Sequence, residues 1–424
     1  MVLNHHTQVC IIGLGYVGLP LATAFAKKYK TLGFDIDASR VQELQKQIDR
    51  TETISSATLL SLSDNEQLQF THHIDAIQHC NVFIVTVPTP VTNDKQPDLQ
   101  PLKEACQLLG GLLQKNHIVV FESTVYPGCT EEICVPILET TSGLTYNQDF
   151  FCGYSPERIN PGDTTNTVET IVKVTAGSTP EIADFVDDLY RSVITAGTHK
   201  APSIKVAEAS KAIENAQRDV NISFINELSL IFDKMDIDTY DVLAAAATKW
   251  NFLTFKPGLV GGHCIGVDPY YLAYQAKKLG HEPQVILSGR HVNDNMGVFV
   301  ANKMAKLLHA QDKPIQNANI LLLGITFKEN CTDVRNSKVV DVYQELTQLG
   351  MQVSVYDPHA DPELVKKLYQ ITLVKSLSQY DGIMITVGHQ AFHELDYSQL
   401  KKDDRSVIYD LKAILPREWV NARL

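Results

Sequence analysis

A chain of 424 residues exceeds what one hydrophobic core usually supports, so two or three domains are expected. Its net charge of −12 excludes a nucleic-acid partner, since phosphate-backbone binding needs clustered Lys and Arg that are not found. With 44% hydrophobic and 20% charged residues in no biased tract, the composition also excludes a disordered, collagenous or coiled-coil chain.

Residues 9–26 are an uncharged run of eighteen, long enough to suggest a membrane span. Gly13, Gly15, Gly18 and Pro20 interrupt it and no basic leader precedes it, so a buried strand, a turn and a helix start are predicted instead. In the stretch QVCIIGLGYVGLPLATAFAKKYKTLGFDID, a strand over 9–12 is followed by three spaced glycines, a helix, and a second strand ending at Asp35. Gly13 permits the tight turn, Gly15 lets a pyrophosphate approach the backbone, and Gly18 lets helix pack on strand. The helix N-terminus offers unpaired N–H groups to the phosphates. Asp35 is placed to bind a ribose diol, and with Asp37 nearby it disfavours a 2′-phosphate, so NAD is expected over NADP; Arg40 argues the other way.

Two further buried strands, NVFIVTVPTP and HIVVFESTVYPG, break at their carboxyl ends into Pro, Thr and Ser. Ligands of open α/β sheets bind at such ends, which makes Thr89, Ser123 and Thr124 candidates for the cofactor or reaction site. Capping of the next helices is the alternative reading.

From Pro202 to Asp238 there is no glycine and no further proline, and apolar residues recur at helical spacing from Ala212 to Met235. A long helix is predicted, suited to a domain connector or a dimer seam. Lys211 and Asn215 lie four apart on it and share a face. Together they could hold an alkoxide or a tetrahedral oxyanion; by spacing alone, a solvated lysine on an exposed face is the commoner case.

In GGHCIGVDPYYL, Cys264 can be a buried spacer, a metal ligand or a nucleophile. A metal needs three or four ligands, and no other Cys or His lies at ligand spacing from His263 and Cys264, so no metal is expected. The remaining seven cysteines are scattered without disulfide-scaffold density, which fits reduced thiols in a cytoplasm. Two glycines bring the backbone before Cys264 close to something. A helix starting just after it would favour the thiolate, with Asp268 facing the same turn.

After Lys313 and Pro314 the pattern restarts. ANILLLGITFKENCTDVRNSKVVDVYQELTQLGMQVSVYDPHAD reads as strand, glycine turn, helix and a strand ending in Asp357. YDGIMITVG and RSVIYDL continue it, but no GxGxxG is present, so this half is expected to bind something other than a dinucleotide.

The segments GLGYVGLP, VPTP, ESTVYPG, GYSPERINPGD, EASKAIENAQRDVN, GGHCIGVDPYYL and GITFKENCTDVRNS occur in the order seen in UDP-glucose/GDP-mannose dehydrogenases. The chain resembles that family over nearly its whole length, and most of all the branch that oxidises UDP-N-acetylhexosamines at C6. The resemblance implies an α/β architecture of two Rossmann-like doubly wound domains joined by a long central helix. An NAD-binding domain would cover 1–200, a central helical domain with the cysteine loop 201–310, and a UDP-sugar-binding domain 311–424. NAD would be held by Gly13, Gly15, Tyr16, Val17, Gly18, Asp35, Arg40, Thr89, Ser123 and Thr124.

The same resemblance makes Cys264 the nucleophile that traps the C6 aldehyde as a thiohemiacetal, which loses a second hydride to give a thioester that water hydrolyses. Lys211 and Asn215 would stabilise oxyanions, while Glu157, Thr124 and Asp268 would position or deprotonate water. Glu157, Arg158, Lys211, Asn215, Gly261, Phe327 and Lys328 would contact the substrate, Lys328 beside the UDP pyrophosphate; Arg290 and Asn293 are further suspected contacts. A homodimer built on the long helix and a place in surface polysaccharide synthesis are implied as well. Where the UDP-glucose branch has a lysine before the motif's aspartate and a second glutamate, this chain has Val267 and Pro161. UDP-N-acetylglucosamine, then UDP-N-acetylgalactosamine, are therefore expected ahead of UDP-glucose.

Overall fold

The computed structural model describes residues 7–92, 94–159, 167–262 and 265–424. Pro161, His263 and Cys264 lie outside the described residues. The chain gathers into two compact units, one running to Glu214 and including Tyr270–Gly280, the other comprising Asn215–Pro269 and His281–Leu424.

The first unit is built on eight strands: β1 (Gln8–Ile12), β2 (Lys30–Phe34), β3 (Leu68–Thr71), β4 (Val82–Val85), β5 (Ile118–Phe121), β6 (Phe151–Tyr154), β7 (Lys173–Gly177) and β8 (Thr198–Lys200). Their order is β3-β2-β1-β4-β5-β6-β7-β8, parallel except where β6 meets β7. Strands covered on both faces read as continuous apolar runs, which is why VFIV of β4 and IVVF of β5 are buried at every position. Strand order reverses between β1 and β4, so the carboxyl ends of these two strands form the switch point where such sheets bind ligands. The apolar run at 9–26 resolves into β1, a glycine turn and the buried helix Gly18–Ala26. No helix among the described residues is long and apolar enough to cross a membrane.

The predicted long helix runs over Ile204–Met235, 32 residues and about 48 Å at 1.5 Å per residue. The second unit holds β9 (Asn319–Leu323), β10 (Gln352–Tyr356), β11 (Gly382–Ile385), β12 (Val407–Asp410) and β13 (Ala422–Arg423), all parallel in the order β10-β9-β11-β12-β13. Alternation along β9 serves two cores. Ile320 and Leu322 pack with Val300, Met304 and Leu308 of the helix Gln284–Ala310, whereas Leu321 and Leu323 pack with Ile383, Ile385 and Phe392 on the other face. Both units are thus doubly wound α/β layers.

Candidate functional site

Gly13 follows β1 at φ +94° and its N–H donates to the Phe34 carbonyl at 2.8 Å, closing the turn against β2. A Cβ on Gly18 would lie 1.8 Å from the Gly13 carbonyl oxygen and 2.5 Å from Thr86 Oγ1, so only hydrogen fits there. At Gly15 a Cβ would meet nothing within 4 Å, which leaves room for a ligand to lie against the backbone. Tyr16 and Val17 complete the turn, and no side chain caps the helix that starts at Gly18; the Leu19 and Leu21 N–H groups are taken by the Gly15 and Val17 carbonyls at 3.2 Å and Pro20 has none, so an anion would meet the turn at the positive end of the helix. The half-buried Asp35 accepts the Leu14 N–H at 2.8 Å and the Asp37 N–H at 2.9 Å. An open cradle at a helix N-terminus with a carboxylate at the end of the next strand fits NAD.

Arg40 is not placed to recognise a 2′-phosphate. It is buried, donating from Nε to the Leu14 carbonyl at 2.9 Å and from Nη2 to Asp49 at 2.8 Å. Burial opposes ionisation of Asp49, yet hydrogen bonds from Thr51, Arg40 and Ile54 hold its carboxyl down at about 2. The Leu14 peptide is thereby gripped from both sides, its N–H by Asp35 and its carbonyl by Arg40. Only Nη1 of the guanidinium is unspent. Thr86, which sequence reading missed, donates its hydroxyl to the Ile12 and Gly13 carbonyls at 3.0 and 2.7 Å.

Neither Thr89 nor Ser123 caps a helix. Thr89 Oγ1 donates to the Thr124 carbonyl at 2.7 Å and Ser123 Oγ to the Val87 carbonyl at 2.6 Å, so the two hydroxyls tie together the loops leaving β4 and β5. Thr124 is half-buried. Just past β6, one oxygen of the buried Glu157 accepts the Arg158 and Ile159 N–H groups, and the other lies 3.1 Å from the Lys173 ammonium. Arg158 is spent on structure: it donates to the Val172 carbonyl at 2.9 Å and pairs with Glu214 at 2.8 Å. It braces the Glu157 loop rather than offering a free charge to a substrate.

On the long helix, the solvated-lysine alternative for Lys211 does not hold. The residue is only 7% exposed, although nothing among the described residues bonds its ammonium. One turn earlier, the fully buried Glu208 accepts N–H groups from Gly128 at 2.5 Å and Thr130 at 2.9 Å; burial lifts its carboxyl to about 7. Asn215 donates from Nδ2 to Asp268 at 2.5 Å, and Asp268 is 2% exposed. Asp268 opens the helix Asp268–Lys278. Residues 265–267 ahead of it are a turn, and the relation of Asp268 to Cys264 lies outside the described residues.

What the two glycines approach is now clear. A Cβ on Gly261 would lie 2.5 Å from the Asn336 carbonyl oxygen, and one on Gly262 would lie 2.8 Å from the Phe327 ring. Gly262, at φ +88°, also donates to Asn336 at 3.1 Å. The loop after β9 therefore lies flat against the segment that leads to Cys264, with the Lys328 ammonium 5.6 Å from the Phe327 ring centroid. Arg290 and Asn293 are not placed as substrate contacts. Both are buried and bond Asp219, Arg290 at 2.6 Å and Asn293 at 2.7 Å, while Asn226 bridges Asn293 to Gly258. They form an internal brace below the same segment.

Residues 7–194 match the NAD binding domain, 205–295 the central domain and 321–417 the UDP binding domain of the UDP-glucose/GDP-mannose dehydrogenase family. The chain is 53% identical over 421 residues to the UDP-N-acetyl-D-glucosamine 6-dehydrogenase of Pseudomonas aeruginosa, covering 98% of this chain and 99% of that one. It is 49% identical over 422 residues to the enzyme of the same name from Salmonella typhi, covering 98% of each. Among solved structures, a UDP-D-ManNAc dehydrogenase from Pyrococcus horikoshii superimposes with a TM-score of 0.88 at 27% identity, covering 98% of both chains.

Proposed function

The chain belongs to the UDP-glucose/GDP-mannose dehydrogenase family, and from that premise we propose that it oxidises C6 of a UDP-N-acetylhexosamine to the uronic acid. UDP-N-acetyl-D-glucosamine is the first substrate of choice and UDP-N-acetyl-D-galactosamine the second. The observation that carries this reading is the likeness, along nearly the full chain, to two relatives that bear the name UDP-N-acetyl-D-glucosamine 6-dehydrogenase. Residues 1–200 are assigned to NAD, 201–310 to the central helical segment and 311–424 to the UDP-sugar.

NAD supplies the hydride acceptor, twice per sugar. The Gly13, Gly15, Tyr16, Val17 and Gly18 backbone takes its pyrophosphate and Asp35 its ribose diol, with Thr89, Ser123 and Thr124 as further contacts. Lys211 and Asn215 hold the C6 oxygen as it gains negative charge, a task that a buried, unbonded ammonium suits. Cys264, as thiolate, adds to the aldehyde; loss of a second hydride from the thiohemiacetal leaves a thioester. Glu157 takes the proton of the water that cleaves it, with Thr124 and Asp268 orienting that water. The bond from Asn215 to Asp268 couples oxyanion holding to water orientation. Lys328, over the Phe327 ring, gives an acidic chain its local positive charge for the UDP pyrophosphate.

We further infer a cytoplasmic homodimer serving surface polysaccharide synthesis. Val206, Ile213, Phe224, Ile231 and Met235 are exposed on the long helix and, at 100° per residue, fall within about 20° of one line along it, an apolar stripe that supports a second copy as its cover.

The test is a substrate panel with product mass and NADH counting, run on wild type and Cys264→Ser. Two NADH per sugar are expected, and the variant should bind NAD but release no uronic acid. Near-normal four-electron turnover by Cys264→Ser would remove the nucleophile assignment.

A further inference from the structure

A group of buried charges beneath Glu157 plays no part in the steps above. Lys173, on β7, is 2% exposed, with its ammonium 2.6 Å from Glu122 Oε2 and 3.1 Å from Glu157 Oε2. Glu122 follows β5, is 1% exposed, and accepts the Tyr190 hydroxyl at 2.5 Å. Apolar residues of similar volume would be at least as stabilising as these ions in the interior of a sheet, so a role in chemistry is worth asking of them.

Glu157 is held at both oxygens. Oε1 takes the two backbone N–H groups, and Oε2 takes Lys173. Glu122 claims the same ammonium, so the two carboxylates share one positive charge. We propose that Lys173 and Glu122 are positioning residues for Glu157, Lys173 fixing its carboxylate in place and Glu122 competing for that cation.

The proposal rests on the reading that Glu157 takes the proton of the hydrolytic water. Burial first lifts the Glu122 carboxyl to about 7, while the two carboxylates override burial and raise Lys173. Of the other charges on elements packed around the cluster, Asp187 of the helix Pro180–Arg191 pairs with Arg191 and accepts the Thr175 hydroxyl, and Arg158 pairs with Glu214. Tyr190, on the same helix, is pushed well above its ordinary range by burial and by Glu122, so it donates rather than ionises.

The experiment measures kcat and KM for UDP-N-acetyl-D-glucosamine against pH in the full chain and in Lys173→Met, Glu122→Gln and the double variant. Lys173→Met should move the acid limb of kcat upward by about one unit or more, because an opposite charge at this range shifts a carboxylate by roughly 1–3 units. Glu122→Gln frees the cation for Glu157 and should move the limb downward. The double variant loses cation and competitor together and should return towards wild type. KM should stay nearly unchanged throughout, since both side chains are buried. A purely structural role would lower activity without shifting the limb in opposite directions. Should Lys173→Met fail to fold, Glu122→Gln and the double variant, in which residue 122 carries no charge that needs the lost cation, carry the same comparison. A limb that stays put, or moves the same way in the variants, overturns the inference while the dehydrogenase reading stands. A wild-type chain that reduces no NAD with any UDP-sugar overturns both.

Discussion

After β1 the chain turns at Gly13, and after β9 it turns at Gly324, with the same construction. Each glycine has a positive φ, +94° and +100°, and each donates at 2.8 Å to the carbonyl ending the neighbouring strand, Phe34 or Tyr356. The aspartate that follows, Asp35 or Asp357, accepts the N–H of the residue after the glycine at 2.8 or 2.7 Å. A threonine after the next strand in the sheet, Thr86 or Thr386, donates to the two carbonyls at the turn. The difference lies in what stays open. Asp35 is half-buried, and Gly15 leaves an empty approach. Asp357 is 7% exposed and accepts N–H groups from Ile325, Thr326, His359 and Ala360, with His389 Nε2 at 3.1 Å. Thr326, fully buried, stands where Gly15 does, and the next helix begins only at Val339. One backbone device makes an open cradle that fits a dinucleotide when its carboxylate and its third residue are left open, and an internal brace when they are filled.

Removing the braced carboxylate should have the larger effect. Asp357→Ala strips a buried acceptor from four N–H groups and a histidine and is expected to cost about 3–5 kcal/mol, seen as a lower denaturant midpoint for the second unit with NAD affinity unchanged. The contribution carries a pH signature. Burial alone would raise this carboxyl, but His389 and the backbone N–H groups bring it to about 2. Being depressed, it stabilises the fold above its unfolded value near pH 4, and that stabilisation, about 2–3 kcal/mol, is lost as pH falls towards about 2. Wild type should lose it in acid, whereas Asp357→Asn should show no such slope. Asp35→Ala should behave differently, weakening NAD by roughly 10- to 100-fold, as expected for hydrogen bonds to a charged group worth about 1.5–3 kcal/mol, in a calorimetric titration. A stability loss equal to that of Asp357→Ala would erase the distinction between the turns. The smallest change in stability is expected from Gly15→Ala, within about 0.5 kcal/mol because its Cβ meets open space, although NAD binding should still suffer. Unchanged NAD affinity there would move the pyrophosphate away from this backbone.

The glycine spacing, Asp35 and the long helix were legible because each is a local pattern: a turn followed by a helix, a strand end, and apolar residues at helical spacing. The burial of Lys211 was not, since a lysine four residues from an asparagine reads the same on a wet face as on a dry one. Arg40, Arg158, Arg290 and Asn293 looked like ligand contacts, yet their partners Asp49, Val172, Glu214 and Asp219 are 9 to 74 residues away along the chain. Lys173 drew no notice because one lysine at the start of an apolar strand resembles any edge residue, and Glu122 and Glu157 come beside it only when β5, β6 and β7 align.

The amino-acid order alone settled the two doubly wound halves, the dinucleotide turn in the first and its lack in the second, because backbone conformation and strand burial follow from neighbours a few residues apart. Which polar side chains remain available to a ligand, and which are consumed as struts, was decided only by the packed structure. A charge is free or spent according to the groups that share its buried surroundings, and in this chain those groups come from distant strands.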